Sequence, residues 1–418
     1  MRLLMVGYST RGFGECFGLS DLARKAEWSL VTLDYFGDSD GQLWGESLSL
    51  GRDFGHLGYS PEGLAEAAAA IDYDAVAYVS GVDNRPDIID RISRGKMLLG
   101  NTSQAAAGAR DFERLYALLS ADGVLCPETH YGWEGPPPPG QWLYKPMSSG
   151  GGGGIVWASA DCAAPMGYMM QAYADGRPAS VSFVADGSEA AIIGLSEQLC
   201  GLGEFGARGF LYCGNIVPLS TCGSQGGSSA SGSLRQKVAR MVRVVVQECG
   251  LRGLNGIDFL VTAAGDPMFL EVNPRYCASM ELYRQARGLD LFGLHLEACN
   301  GRLPPESLFA ADEAGHGGHY FGKAIVYAPC DLTVANASAW YGLGIRDVPH
   351  AGEAIPAGAP VCTVLACGRS RDECLMALQE KQAWVIDQFL GSHGKGGDFG
   401  RPDVRNRTEA RQQNTSAR

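Results

Sequence analysis

Two short apolar runs, residues 254–261 and 268–275, flank the turn Ala264-Gly265-Asp266-Pro267, and an acid interrupts each run: Asp258 in the first, Glu271 in the second. Apolar segments of this length around a Gly-Asp-Pro turn predict an antiparallel hairpin. An unpaired carboxylate buried in such a hairpin costs several kcal/mol, so both acids need a cation or a full set of hydrogen bonds. Side chains alternate along a strand, so Glu271, Asn273 and Arg275 share one face, and Asp258 on the adjacent strand can join them. Three oxygen donors, from Asp258, Glu271 and Asn273, suit Mg²⁺, with Mn²⁺ as a substitute, because such ions favour carboxylates and phosphate oxygens over nitrogen or sulfur. Arg275 can hold a phosphate or an acyl phosphate through its planar fork. The bland alternative is a hydrogen-bonded structural pair of acids.

A second unusual segment lies upstream. Trp142-Leu143-Tyr144-Lys145 leads through Ser148 and Ser149 into Gly150, Gly151, Gly152, Gly153 and Gly154, and then into Ile155-Val156-Trp157. Gly/Ser runs are usually flexible linkers. This one joins two short apolar strands directly and has a lysine at the end of the first. The sharper reading is a hairpin whose backbone N–H groups close over phosphates, with Lys145 adding positive charge. Residues 166–199 read as further strands, with a hairpin turn at Asp186-Gly187. Residues 222–233 are rich in Gly and Ser and read as a mobile loop. After it, Leu234, Val238, Met241 and Val245 space at three and four, which predicts a scaffold helix capped by Ser231 or Ser233.

Residues 1–108 alternate strand and helix patterns. Strands are expected at 3–6, 29–33 and 75–79, helices through Leu22 and Ala23, at 64–71 and at 86–92, and a polar turn at Ser9, Thr10, Arg11 and Gly12. That alternation predicts a parallel sheet wound with helices, whose strand ends bind ligands. The lone Gly7 and Gly12 spacing is a weak signal for a dinucleotide. A net charge of −12 would repel a phosphate backbone, which argues against nucleic-acid partners and against an anionic membrane. No apolar stretch approaches the roughly 20 residues of a membrane span. The first residues lack a signal-peptide pattern, and the 13 cysteines include no CxxC pair. The expectation is a cytoplasmic protein with reduced thiols.

Lys145-Pro146 with its glycine run, Gly256-Ile257-Asp258-Phe259 and Glu271-Val272-Asn273-Pro274-Arg275 together resemble the ATP-grasp superfamily of carboxylate–amine ligases. The Asp-to-Glu gap of 13 and the Glu-to-Asn gap of 2 match that family's metal-binding hairpin. The resemblance implies an α/β (α+β) chain. It would comprise an N-terminal wound parallel αβ domain over 1–108, a two-lobed ATP-grasp domain over 109–304 and a small C-terminal β element over 305–391. A disordered tail at 392–418 follows from its composition. It implies ATP and Mg²⁺ as cofactors. Lys145, Ser149 and Gly150 to Gly154 would contact the phosphates, Gln171, Ala172 and Tyr173 would form the adenine hinge, and Asp258, Glu271 and Asn273 would hold the metal. Arg275 would serve catalysis.

There are departures from the family's pattern. Ala172 stands where a Glu is usual, the ribose-binding acid has only Asp175 as a candidate, and the upstream phosphate-contacting Lys is replaced by Arg110 or Arg114. Arg11, Asn84, Ser279 and Glu281 are the candidates for substrate contacts. The implied partners are a small-molecule carboxylate and an amine, joined through an acyl phosphate, in a chain that forms a homodimer. Residues 206–218 and 322–328 are similar to ligases of one-carbon cofactor synthesis of the methanofuran and tetrahydromethanopterin type, such as those attaching glutamate to tyramine. The rival classes are a biotin-carboxylase-like enzyme and a non-catalytic ATP-binding regulator.

Overall fold

The computed structural model describes residues 1–159, 164–220, 233–305, 307–309 and 318–390. Most of the loop expected at 222–233 and all of the tail expected at 392–418 lie outside the described residues. The N-terminal part is a five-stranded parallel sheet with strand order 46–49, 29–34, 2–6, 75–78 and 97–99. Its central strands, 29–34, 2–6 and 75–78, are short and largely buried on both faces because helices cover both sides. One expectation is corrected here. The polar turn at Ser9–Gly12 is cut short, and the helix Arg11–Gly18 begins within it. Asp34, at the end of the neighbouring strand, accepts from both the backbone N–H and the hydroxyl of Thr10, and so fixes where that helix starts.

Two antiparallel sheets follow. The smaller has four strands in the order 129–131, 168–172, 142–146 and 156–157, so the segments flanking the glycines pair as a hairpin. The larger has eight strands, and its first two are Pro267–Asn273 and Arg252–Val261, the hairpin of the two acids. Strands Tyr320–Tyr327, Pro360–Gly368 and Ile345–Arg346 from the C-terminal part continue this same sheet at its other end.

The larger sheet has two chemically distinct faces. On one, Ala179, Val181, Phe183, Ile257, Phe259 and Val272 pack against Val238, Met241, Val242 and Val245 of the helix Leu234–Cys249. Ser233 caps that helix, with Gln236 bonding back to it. The opposite face carries Ser180, Ser196, Asn215 and Lys323, all buried, in the same layer as Asp258 and Glu271. These groups bond to one another: Ser180 Oγ to Ser196 Oγ at 2.7 Å, and Asn215 Nδ2 to Ser196 Oγ at 3.1 Å. Among the described residues no helix is long and apolar enough to cross a membrane.

The N-terminal sheet, the helix Met280–Arg287 and the C-terminal strands meet at Arg11, which is 2% exposed. Its guanidinium donates to Glu281 Oε1 at 2.5 Å and Oε2 at 3.1 Å, to Asp347 Oδ1 at 2.9 Å and to Glu15 Oε2 at 3.0 Å. Lys323 Nζ completes Glu281 at 2.6 Å. Burial alone would raise the pKa of Glu281; Arg11 and then Lys323 outweigh it and hold that carboxyl well below the usual range. Removing one partner of a buried charge set strands the others, at about 3–5 kcal/mol. Arg11→Met is therefore expected to lower stability by about that amount in chemical denaturation, and the conservative Arg11→Lys by less.

Candidate active site

The hairpin register sets Asp258 directly opposite Glu271, and Gly256 opposite Asn273. The register then shifts, so that Phe259 faces Phe269 and Leu270 is the extra residue. This bulge explains how Glu271 and Phe269, two residues apart, point to opposite faces, one into the site and the other into the core.

Every charge at the site is answered by a named partner. Lys145 Nζ, on the strand Trp142–Pro146 of the other lobe, lies 3.0 Å from Glu271 Oε2. Asp258 Oδ1 accepts from Gln198 Nε2 at 2.9 Å and Oδ2 from Asn273 Nδ2 at 3.1 Å. Asn273 Oδ1 in turn accepts from Arg275 NH2 at 2.9 Å. Arg275 Nε lies 3.2 Å from Asp83 Oδ2, and Arg110 shares that carboxylate while donating to Val272 O at 2.8 Å.

The two acids respond differently to the same burial. Desolvation pushes both up. For Glu271, Lys145 and Arg110 prevail and keep it below its ordinary value. For Asp258, desolvation and the nearby Glu271 charge prevail over Asn273 and the more distant cations, raising it to about 7. A buried carboxyl that retains its proton near neutrality is a position where a cation is welcome. Its hard-oxygen neighbours fit Mg²⁺, and no cluster of three or more His, Cys, Asp or Glu side chains at metal spacing occurs among the described residues. Asp258, Glu271 and Asn273 therefore fit an ion that takes its remaining ligands from phosphate and water.

The glycine segment lies over the neighbouring sheet. Gly151 O accepts from Tyr212 N at 2.9 Å, and Gly152 takes φ +72 so close to Phe210 that an added Cβ would stand 2.0 Å from its carbonyl oxygen. Only glycine permits that approach. Ser149, Gly150, Gly153 and Gly154 complete the turn. Trp157, Tyr173 and Phe210 bring three rings together beside it, with centroids 5.0 to 6.5 Å apart. At the expected hinge, Gln171 points inward, donating to Tyr116 at 2.9 Å and Thr129 at 3.1 Å. The N–H groups of Ala172 and Tyr173 are taken by Glu128 O and Gln141 O. Their carbonyls and the Tyr173 ring are what this segment can offer a base. Asp175 is exposed.

Of the two arginines weighed for phosphate contact, Arg110 sits against the acid hairpin, whereas Arg114 pairs with Glu248 and is largely exposed. The substrate candidates divide. Arg11 and Glu281 are committed to each other, Ser279 Oγ lies 3.1 Å from Ser182 Oγ, and Asn84 sits beside Asp83 with a buried Oδ1 that has no hydrogen-bond partner. Sequence reading took Asp83 only as part of a strand end and missed Gln198 and Lys323. Each is a single polar residue in an ordinary-looking segment, and only Asp83, at the end of a parallel strand, carried a positional hint.

Asp258 supplies a test of this electrostatic account. A carboxyl whose folded pKa is raised above its unfolded value contributes most stability below the unfolded value and loses it as pH rises through about 7. Asp258→Asn removes that penalty. Without divalent cations, the variant's melting temperature is expected to gain on the wild type between pH 6 and pH 8, in thermal unfolding at several pH values.

Residues 109–279 match the ATP-grasp domain family. No curated protein matches the chain in sequence. Among solved structures, it is similar to a biotin carboxylase complex with β-γ-ATP from Campylobacter jejuni, at 13% identity and TM-score 0.66, covering 93% of this chain and 91% of that one. It is similar to the biotin carboxylase domain of a Hydrogenobacter thermophilus 2-oxoglutarate carboxylase, in complex with MgADP and bicarbonate, at 13% identity and TM-score 0.63, covering 93% and 90%. An L-amino acid ligase from Bacillus licheniformis is similar at 14% identity and TM-score 0.63, covering 93% and 98%. The acid hairpin, the lysine strand and the glycine turn thus lie within the segment that matches the ATP-grasp domain family, and the chain as a whole shares the fold of these solved structures.

Proposed function

We propose that this protein is an ATP- and Mg²⁺-dependent ligase that joins a carboxylate to an amine through an acyl phosphate, releasing ADP and phosphate. The observation that carries the reading is the convergence of Lys145, Glu271, Asp258, Asn273 and Arg275 on one polar sheet face beneath the glycine turn. Joining a carboxylate to an amine in water is uphill, and phosphorylating the carboxylate first makes it a good acyl donor. Phosphoryl transfer needs positioning and charge neutralisation more than covalent help from the protein.

Each residue has a task in that scheme. Asp258, Glu271 and Asn273 would hold Mg²⁺, which when bound neutralises charge on the β- and γ-phosphates. Lys145, released from Glu271, faces the phosphates from the other lobe. Arg275 is held in place by Asp83 and offers its fork to the transferred group. The glycine turn covers the site and keeps water from the acyl phosphate. The acid that the resemblance suggests is an amino acid such as glutamate, with tyrosine or tyramine as the amine, in cofactor biosynthesis. The biotin carboxylases of the same fold make bicarbonate an acid to include.

The test is ADP release from MgATP with glutamate, tyrosine, tyramine and bicarbonate, singly and in pairs, with product masses. ADP formed only when acid and amine are both present, with a condensed mass, is the expected result. Glu271→Gln is expected to lower that rate at least about a hundredfold, by removing one metal ligand and unpairing Lys145. ATP binding with no turnover under any pairing would favour a non-catalytic regulator instead.

A further inference from the structure

The N-terminal sheet reverses its winding direction between strands 2–6 and 75–78, and the carboxyl ends of strands at such a point form a ligand crevice. Here that crevice is aromatic. Tyr8 follows the first strand, Tyr35 and Phe36 follow the strand Ser29–Asp34, and Tyr59 precedes the helix Pro61–Ala68. Tyr8 stacks on Tyr35 at 6.0 Å and meets Phe36 and Tyr59 edge-on at 5.1 and 4.9 Å. Although it lies at the centre of this group, Tyr8 remains 37% exposed. A ring cluster built only for packing would bury its central member.

Two residues at this end of the sheet carry unanswered polar atoms. Tyr59 Oη is buried without a hydrogen-bond partner, in space left by Gly81, where an added Cβ would stand 2.0 Å from it. Asn84 Oδ1 is likewise buried and unpartnered. Asn84 adjoins Asp83, the carboxylate that grips Arg275 and Arg110, so this end of the sheet neighbours the arginines of the acid hairpin. The Tyr59 phenol is close enough to feel both Asp83 and Arg275.

These features assign the two substrates to different sides. Lys145, Arg110 and Arg275 make the hairpin side cationic, which suits a carboxylate and phosphates. The crevice side offers ring faces and a carbonyl oxygen that can only accept, which suits a neutral N–H donor. A cation held over the rings is disfavoured by Arg275 nearby, and an attacking amine must in any case arrive with its lone pair free.

We propose that the amine substrate carries an aromatic ring that packs against Tyr8 among Tyr35, Phe36 and Tyr59, while Asn84 Oδ1 accepts an N–H of the attacking nitrogen. This rests on the ligase reading and names the residues that would choose the amine. In the step they serve, the nitrogen lone pair forms the C–N bond at the acyl phosphate carbonyl. The C–O bond to the phosphoryl group breaks with its electron pair, and the surplus nitrogen proton leaves with the phosphate.

Two readouts test it. The first is saturation-transfer NMR of phenethylamine, tyramine and hexylamine on the full chain, with Mg²⁺ and a non-hydrolysable ATP analogue. The second is amine-dependent ADP release with the same amines. The two aromatic amines are expected to bind more tightly than hexylamine. Tyr8→Leu is expected to weaken them about three- to tenfold and leave hexylamine unchanged, the size of one lost ring pair. Tyr59→Phe, which keeps the packing, is expected to affect tyramine more than phenethylamine. Asn84→Ala is expected to lower kcat with little change in amine KM. Equal binding of hexylamine and the aromatic amines, no binding of either, or a Tyr8→Leu variant with unchanged selectivity would overturn the ring site. Ring-selective binding without ADP release for any acid would support the ring site and overturn the ligase reading instead.

Discussion

Two carboxylates facing each other across a buried hairpin, Asp258 and Glu271, impose the organisation of the rest of the site. Buried acids cannot stand alone, and the chain answers them from three directions. Lys145 comes from the small lobe, Arg275 from just beyond the hairpin, and Arg110 from the helix Ser103–Arg110. The two arginines are in turn held by Asp83 of the N-terminal sheet. Three acids and three cations thus join parts of the chain that are far apart in sequence. The compensation is uneven: Glu271 has a cation in contact, whereas Asp258 has only amide donors. That unevenness raises the pKa of Asp258 while Glu271 stays below its ordinary value.

A second buried ion cluster, around Arg11, follows the opposite design. Lys323 completes Glu281, and Glu281, Asp347 and Glu15 surround the guanidinium. It ties the N-terminal helix Arg11–Gly18, the helix Met280–Arg287 and the C-terminal strands into one unit. The same residue type at a strand end can bind a ligand or clamp a fold, and the difference lies in how many carboxylates reach it. The cluster around Arg11 braces the N-terminal sheet against the sheet that carries the acids, whereas the acid hairpin is compensated unevenly.

The hairpin of acids, the lysine at the end of its strand, the glycine turn and the wound parallel sheet were all legible in the chain. Each rests on local rules: strand alternation, turn residues, and the cost of burying a charge. Gln198 was not, because a lone polar residue in an ordinary-looking strand gives no local signal, and Asp83 was legible only as part of a strand end, not as the partner of two arginines. The hinge was legible as strand, but the inward turn of Gln171 towards Tyr116 depends on a helix more than 50 residues away. The helix start at Arg11, inside an apparent turn, depends on Asp34 capping Thr10 from the next strand.

By itself the sequence determined which residues must avoid water and which carry charge into that dry region, because hydrophobic periodicity and charge burial are properties of residue type. It therefore settled the wound sheet and the acid hairpin. Tertiary structure alone decided the pairings. The bulge at Leu270 turned Phe269 to the core and Glu271 to the site, Lys145 was brought to Glu271 from another sheet, and Arg11 was spent on carboxylates more than 200 residues away. The physical reason is that a salt bridge or a ring contact acts over a few ångströms of space, whatever the distance along the chain, so only the packed fold selects which partners meet.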